Sequence, residues 1–122
     1  NQNLVDLLFY FDQNTQSTLA GPGSEIPAGL YSGYKDVTAW SVRNVTSFMK
    51  VNWTADYFSA ITTDAPLLNN WKDELSSTTA KNLAVNDVWL FKLKSGKLGV
   101  LLIKTIVAGT DGLIEFDLKM QQ

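Results

Sequence analysis

Between residues 87 and 120 the side chains alternate, and that pattern limits the fold more than any other feature of the chain. Three runs, residues 87–94, 98–107 and 113–120, carry β-branched, aromatic and other apolar residues at period two. Successive side chains of an extended chain point to opposite faces, so such runs read as strands. Between them lie Ser95-Gly96 and Thr110-Asp111-Gly112. Ser-Gly and Asp-Gly supply the positive-φ positions of tight hairpins, which predicts an antiparallel meander. In the last run Ile114, Phe116, Leu118 and Met120 oppose Glu115, Asp117 and Lys119, which predicts one face in the core and one in water. The middle run sets Val100, Leu102 and Ile106 against Leu101, Ile103 and Val107. A strand apolar on both faces belongs at the centre of a sheet, with helices or a second sheet above it.

Upstream, residues 4–12 place Val5, Leu7, Phe9 and Phe11 opposite Asp6, Leu8, Tyr10 and Asp12, and residues 45–53 alternate in the same way. Each predicts a strand. Residues 13–34 turn to Asn, Thr, Ser, Gly and Pro, with Gly21-Pro22-Gly23 and Pro27-Ala28-Gly29 as breakers, so a long loop is expected. Loops of that length often carry function. Residues 36–42 allow a short helix capped by Asp36, against the β-branched Val37, Thr38 and Val42. Across residues 55–75 the period becomes helical, grouping Tyr57, Phe58 and Ile61, then Leu67, Leu68, Trp71 and Leu75. Two short helices are predicted. Thr54 caps the first, and Asp64 or Thr63 caps the second, whose first turn accommodates Pro66 because no amide donor is needed there.

The fold class expected is therefore α+β, an antiparallel sheet with a C-terminal three-strand meander and two short helices on one face. The strands at residues 4–12 and 45–53 would join that sheet. A β-sandwich with helical insertions is the alternative. A chain of 122 residues fits a single domain, residues 1–122, and can bury roughly two-thirds of its extended surface without disulfides. An apolar fraction of 45% with 18% charged residues argues against disorder.

Charge and residue types narrow the function. The net charge of −2 has Lys and Arg scattered along the chain, which gives nucleic acid no basic field to bind. The longest apolar run, residues 98–108, is too short for a membrane-spanning helix, so no transmembrane segment is expected. The chain starts at Asn1 without initiator Met, basic region or apolar leader. Removal of a targeting segment, or excision from a longer chain, is the expectation.

Hydrolytic triads and most metal sites rest on His or Cys, and the sequence has neither. No nucleophile elbow, phosphate loop or dinucleotide fingerprint occurs. Asp12-Gln13-Asn14-Thr15-Gln16 imitates the start of a calcium loop but has Ser17 at the sixth position and Gly23 at the twelfth, so Asx turns are the plainer reading. Paired-carboxylate hydrolysis would draw on Asp6, Asp12, Asp56 and Asp111, against their being ordinary solvated acids. Asn44-Val45-Thr46 and Asn52-Trp53-Thr54 match the glycosylation acceptor pattern. One stretch offers a binding face: Tyr31 and Tyr34, followed by Trp40, whose rings could stack on sugar or instead close over the core. Expected, then, are no catalytic residue, no metal and no cofactor.

The phrase L-x-V-x-D-V-hydrophobic-x-F-K-x-x-x-G-K-x-G, here Leu83 to Gly99, leads into a β-meander that ends in an acidic/lysine strand and Gln. Together with the opening D-L-L-F-Y-F-D and the W-x-x-x-N-x-T-x-F of Trp40, Asn44, Thr46 and Phe48, it resembles a group of bacterial secreted surface lipoproteins. That resemblance covers most of the chain and consists of packing and turn patterns. It implies a cell envelope or extracellular location, and a lipid anchor that would have been lost with the upstream residues. The expected function is a non-enzymatic surface domain binding a glycan or protein through Tyr31, Tyr34 and Trp40. A structural module of a larger surface protein is the alternative, and a carboxylate hydrolase the third reading.

Overall fold

The structure, a computed structural model, describes residues 4–24, 26, 40–109 and 112–121. Its meander is the one the sequence predicts: β5 (Val88–Lys92), β6 (Leu98–Val107) and β7 (Leu113–Met120), all antiparallel. Gly96 sits at φ 91° in the first turn, where its N–H donates to Leu93 O at 2.8 Å and Leu93 N–H donates to Lys97 O at 2.9 Å. In the second turn the positive φ falls on Gly109, at 103°, and Gly112 N–H donates back to Gly109 O at 3.0 Å. The reversal therefore begins one residue before the predicted Thr110-Asp111-Gly112, of which Thr110 and Asp111 lie outside the described residues.

β3 (Ser47–Val51) pairs with the other edge of β5, which gives a four-stranded sheet in the order β3-β5-β6-β7. β6 lies inside the sheet, as its two apolar faces require. On one face Met49, Val88, Leu90, Val100 and Leu102 pack against Phe58, Ile61 and Leu67. Phe58 comes from α1 (Ala55–Ala60), Ile61 directly follows it, and Leu67 comes from α2 (Ala65–Asn70). Thr54 caps α1 by accepting from Tyr57 N–H at 3.1 Å, and Pro66 occupies the first turn of α2. Asp64 stands at the cap position of α2 without a side-chain capping bond. The helical run ends earlier than its period suggests: Trp71 is already extended, and Asp73–Leu75 forms one 3₁₀ turn. Leu68 and Leu75 are consequently exposed.

The opposite face corrects the single-sheet expectation. β1 (Leu8–Asp12) never joins the meander; it pairs with β2 (Gln16–Ala20), and β2 pairs with β4 (Thr79–Ala80). Leu19 and Ala80 from this second, three-stranded sheet share a buried cluster with Phe48, Trp89, Phe91, Leu101 and Ile103 of the first. The molecule is mixed α+β and mostly antiparallel sheet. β2 falls in the segment predicted as a loop because its residues, Gln16-Ser17-Thr18, carry little apolar signal. What folds it back is an Asx turn: the Asp12 carboxylate accepts from Asn14 N–H at 3.0 Å and Thr15 N–H at 3.3 Å, and Gln16 adopts φ 57°. The calcium-like spelling is this turn. The helix expected at residues 36–42 is not seen at residues 40–42, which are irregular; residues 36–39 lie outside the described residues.

Two details of the meander depart from simple alternation. Between Ile103 and Thr105 the β6–β7 register slips by one, so Lys104 is an extra residue and everything after it changes face. Ile106 therefore packs with Leu101 and Ile103, not with Val100 and Leu102 as the spacing predicts. On β7, Lys119 does not end in bulk water. Its Nζ donates to Phe58 O at 2.7 Å, Ile61 O at 2.9 Å and Ser59 O at 3.2 Å. Those are carbonyls at the C-terminal end of α1, a helix whose own last turn has no basic residue.

Candidate functional site

Of the predicted aromatic patch, Tyr31 and Tyr34 lie outside the described residues, and Trp40 is half-buried on irregular backbone. The rest of its motif is structural. Asn44 Nδ2 donates to Asp6 Oδ1 at 3.0 Å, and Thr46 Oγ1 donates to the Asp6 carbonyl at 2.8 Å, while Phe48 is in the core. Arg43 adds bonds to Pro22 O at 2.7 Å and Ser24 O at 3.2 Å, and Gly23 N–H donates to Asn44 O at 2.7 Å. Only glycine fits at position 21, where a Cβ would stand 2.7 Å from Thr46 N. Asn44 is buried and commits the very nitrogen a glycan would need, so of the two acceptor patterns only Asn52 is exposed.

The candidate acids that lie among the described residues have separate structural places. Asp6 is engaged by Asn44, Asp12 builds the β1–β2 turn, and Asp111 lies outside the described residues. Asp56 belongs to the first turn of α1, across the four-stranded sheet from β1. Among the described residues no three His, Cys, Asp or Glu side chains group as metal ligands. No helix among them is long and apolar enough to cross a membrane.

What the fold does build is a pair of joined clefts along the seam between the two sheets. After the 3₁₀ turn, Ser77 docks on β3 by exchanging backbone hydrogen bonds with Phe48, at 2.7 Å and 2.8 Å. The chain then leaves β3 to pair with β2, and the divergence opens a space on each side of Ser77, Thr79 and Lys81. One cleft, of about 740 Å³, runs along β3 and is lined by Lys50, Asn52, Trp53, Leu75 and Trp89 among others. Its neighbour, of about 660 Å³, is lined by Tyr10, Ser24, Ile26, Val45 and Thr78. Ser77, Thr79 and Lys81 line both. Volumes of this size suit ligand recognition.

The chemistry of the seam is uneven. Among the described residues, hydroxyls come from Tyr10, Thr15, Ser24, Ser77, Thr78 and Thr79, and the charged side chains that line it are Lys50 and Lys81. Among the described residues no carboxylate lines either cleft. Asp87 stands just behind, 3.6 Å from Lys50 Nζ. Trp53 closes one end, its ring 4.8 Å from the exposed Tyr57 and tilted by 54°. Trp89 is 8% exposed, and its indole Nε1–H is buried without an acceptor. Nothing in the sequence singled out residues 75–81; a run of Ser and Thr between a helix and a strand carries no periodic signal.

Beside the seam, Asp73 accepts from Trp71 Nε1–H at 2.7 Å and lies 3.4 Å from Lys92 Nζ. The indole hydrogen bond first, and the ammonium second, hold the Asp73 carboxyl below the usual carboxylate range. A depressed folded-state pKa means the clasp is fully made above the ordinary carboxylate value and is lost as pH falls through the lower folded one. The Trp71 indole resonance in ¹H–¹⁵N spectra should hold its position through the ordinary carboxylate range and move only in stronger acid. In Asp73→Asn that movement should vanish; persistence of the same titration would refute the assignment.

No family model, curated protein or solved structure matches this chain.

Proposed function

We propose that this chain is a non-enzymatic binding domain, working extracellularly or at a bacterial cell surface, that recognises a glycan or protein partner along the seam of a sandwich-like pair of sheets. The observation that carries the reading is the composition of the two joined clefts among the described residues: hydroxyls, two ammonium groups and indole rings, with no carboxylate in the lining. General acid–base hydrolysis needs an acid and a base within hydrogen-bond reach of one substrate. The described residues of the seam offer no such pair, yet they have the hydroxyl donors and ring surface that recognition uses. The surface location rests on the resemblance to secreted lipoproteins. The Tyr31, Tyr34 and Trp40 loop is retained as a second contact patch.

Glycan-array screening followed by calorimetric titration tests the proposal. Wild type should bind, Ser77→Ala/Lys81→Ala should lose most of the affinity, and Tyr31→Ala/Tyr34→Ala/Trp40→Ala should lose less. Loss only in the aromatic variant would move the site to the loop. Turnover of any bound glycan would overturn the non-enzymatic assignment.

A further inference from the structure

We infer that the open edge of β3 accepts an added strand, an extended acidic segment of a partner protein, hydrogen-bonded to the backbone of Lys50 and lying in the larger cleft. This rests on the seam being the binding site and names what binds there.

The edge geometry comes first. In an antiparallel pair, alternate residues direct both backbone groups toward the same neighbour. Phe48 directs its N–H and C=O outward, to Ser77. Lys50, two residues on, therefore faces the same way, followed by Asn52 just past the strand. Met49 and Val51 face β5, their register partners being Leu90 and Val88. Beyond Phe48 no backbone bond is made to the outer edge among the described residues: in this antiparallel bridge the residues on the Lys50 side are Leu75 and Ser76, whose amides are turned back to Lys72 O and Asp73 O in the 3₁₀ turn. An unpaired edge is a template for another strand, and edge addition is a common mode of peptide recognition. This edge also borders a cleft of about 740 Å³.

Side chains then choose the partner. Among the described residues Lys50 and Lys81 are the charges lining this cleft; Asp87, 3.6 Å behind Lys50, offsets only one of them, so the cleft keeps a net positive charge and an incoming segment is favoured if it is acidic. Pairing with a second copy of the same edge would bring Lys50 against Lys50, which disfavours self-association. Trp89 lies directly across the β3–β5 ladder from Lys50 and also lines the cleft. Its buried indole N–H lacks an acceptor, and buried donors of native proteins are rarely left so. A bound segment supplies that acceptor.

The test uses ¹⁵N-labelled protein with three probes. They are a heptapeptide alternating valine with glutamate, its lysine counterpart, and the acidic peptide N-methylated on the amides that would face β3. The acidic peptide should give saturable shifts at the Lys50 and Asn52 amides and the Trp89 indole. The lysine peptide should bind about fivefold more weakly or worse, and the N-methylated one not at all. Lys50→Glu should reverse the charge preference. Trp89→Phe, measured well below its own Tm where the variant is fully folded, should weaken the acidic peptide, a loss that a purely structural tryptophan would not give. Equal binding by the N-methylated peptide, or no shift at Lys50 with millimolar acidic peptide, overturns the added strand. If chitohexaose shifts Ser77 and Thr79 while no peptide binds, the seam remains the site and the strand proposal fails. If neither binds, both fail.

Discussion

Phe91→Ala will destabilise the domain by about 3–5 kcal/mol, and a compensating change at Gly99 will show why. Phe91 and Gly99 are cross-strand partners in β5 and β6, and the Phe91 ring lies directly over the glycine. A Cβ at position 99 would stand 2.7 Å from both Cε1 and Cε2 of that ring. The ring cannot retreat easily, being 1% exposed in the cluster shared by the two sheets. Gly99→Ala alone should therefore cost about 1–3 kcal/mol through overpacking, in spite of alanine's better strand propensity. In Phe91→Ala/Gly99→Ala the added methyl meets a vacated space instead of a ring. The double variant should be more stable than the sum of the single losses predicts, by about 1 kcal/mol or more. Urea unfolding of the four proteins measures the cycle, and strict additivity would show that the two residues do not share this space.

Lys119→Met will cost about 2–3 kcal/mol, a large effect for a residue on an edge strand. Methionine keeps most of the stem that passes the Phe58 ring, where Nζ sits 4.8 Å from the centroid. It removes the donor to three α1 carbonyls, at 2.7–3.2 Å. The last carbonyls of a helix have no partners within the helix and carry partial negative charge, so an ammonium there caps and neutralises at once. At only six residues, α1 could not hold itself together in water and depends on such external ties. Amide exchange should accelerate in α1 and leave α2 unchanged. Unaltered exchange in α1, with stability changed by less than about 0.5 kcal/mol, would mean the lysine is ornamental.

These two examples mark where sequence patterns were enough and where they were not. β6 and β7 end where the alternation and the turn residues said they would, because both signals are local and β6 is covered on each face. Alternation tells which residues share a face but not which sheet a strand enters, so it predicts β1 in the meander, whereas β1 pairs with β2. β2 itself is specified by a side-chain-to-backbone turn at Asp12 and by its partners, with Leu19 and Ala20 its only strongly apolar residues. The spacing predicts Ile106 on the opposite face from the one it takes, because one additional residue in a strand has no signature of its own. Lys119 read as solvent-facing, since a helix end arriving from residues far earlier in the chain leaves no trace in the spacing of β7. The seam drew on Phe48 to Trp53, Leu75 to Lys81 and Trp89, whose meeting is decided by strand pairing and not by any motif.

The slip at Lys104 has a mechanical side. Ahead of it β6 is roofed above and below; past it, Thr105 and Ile106 are only partly covered, and Val107 and the facing Leu113 lie in water. The domain is thus a wedge, blunt at the Ser95-Gly96 turn and thin at Gly109. Tension applied at the thin tip would peel β6 from β7 one rung at a time, whereas tension on the blunt end would have to shear three stacked layers together.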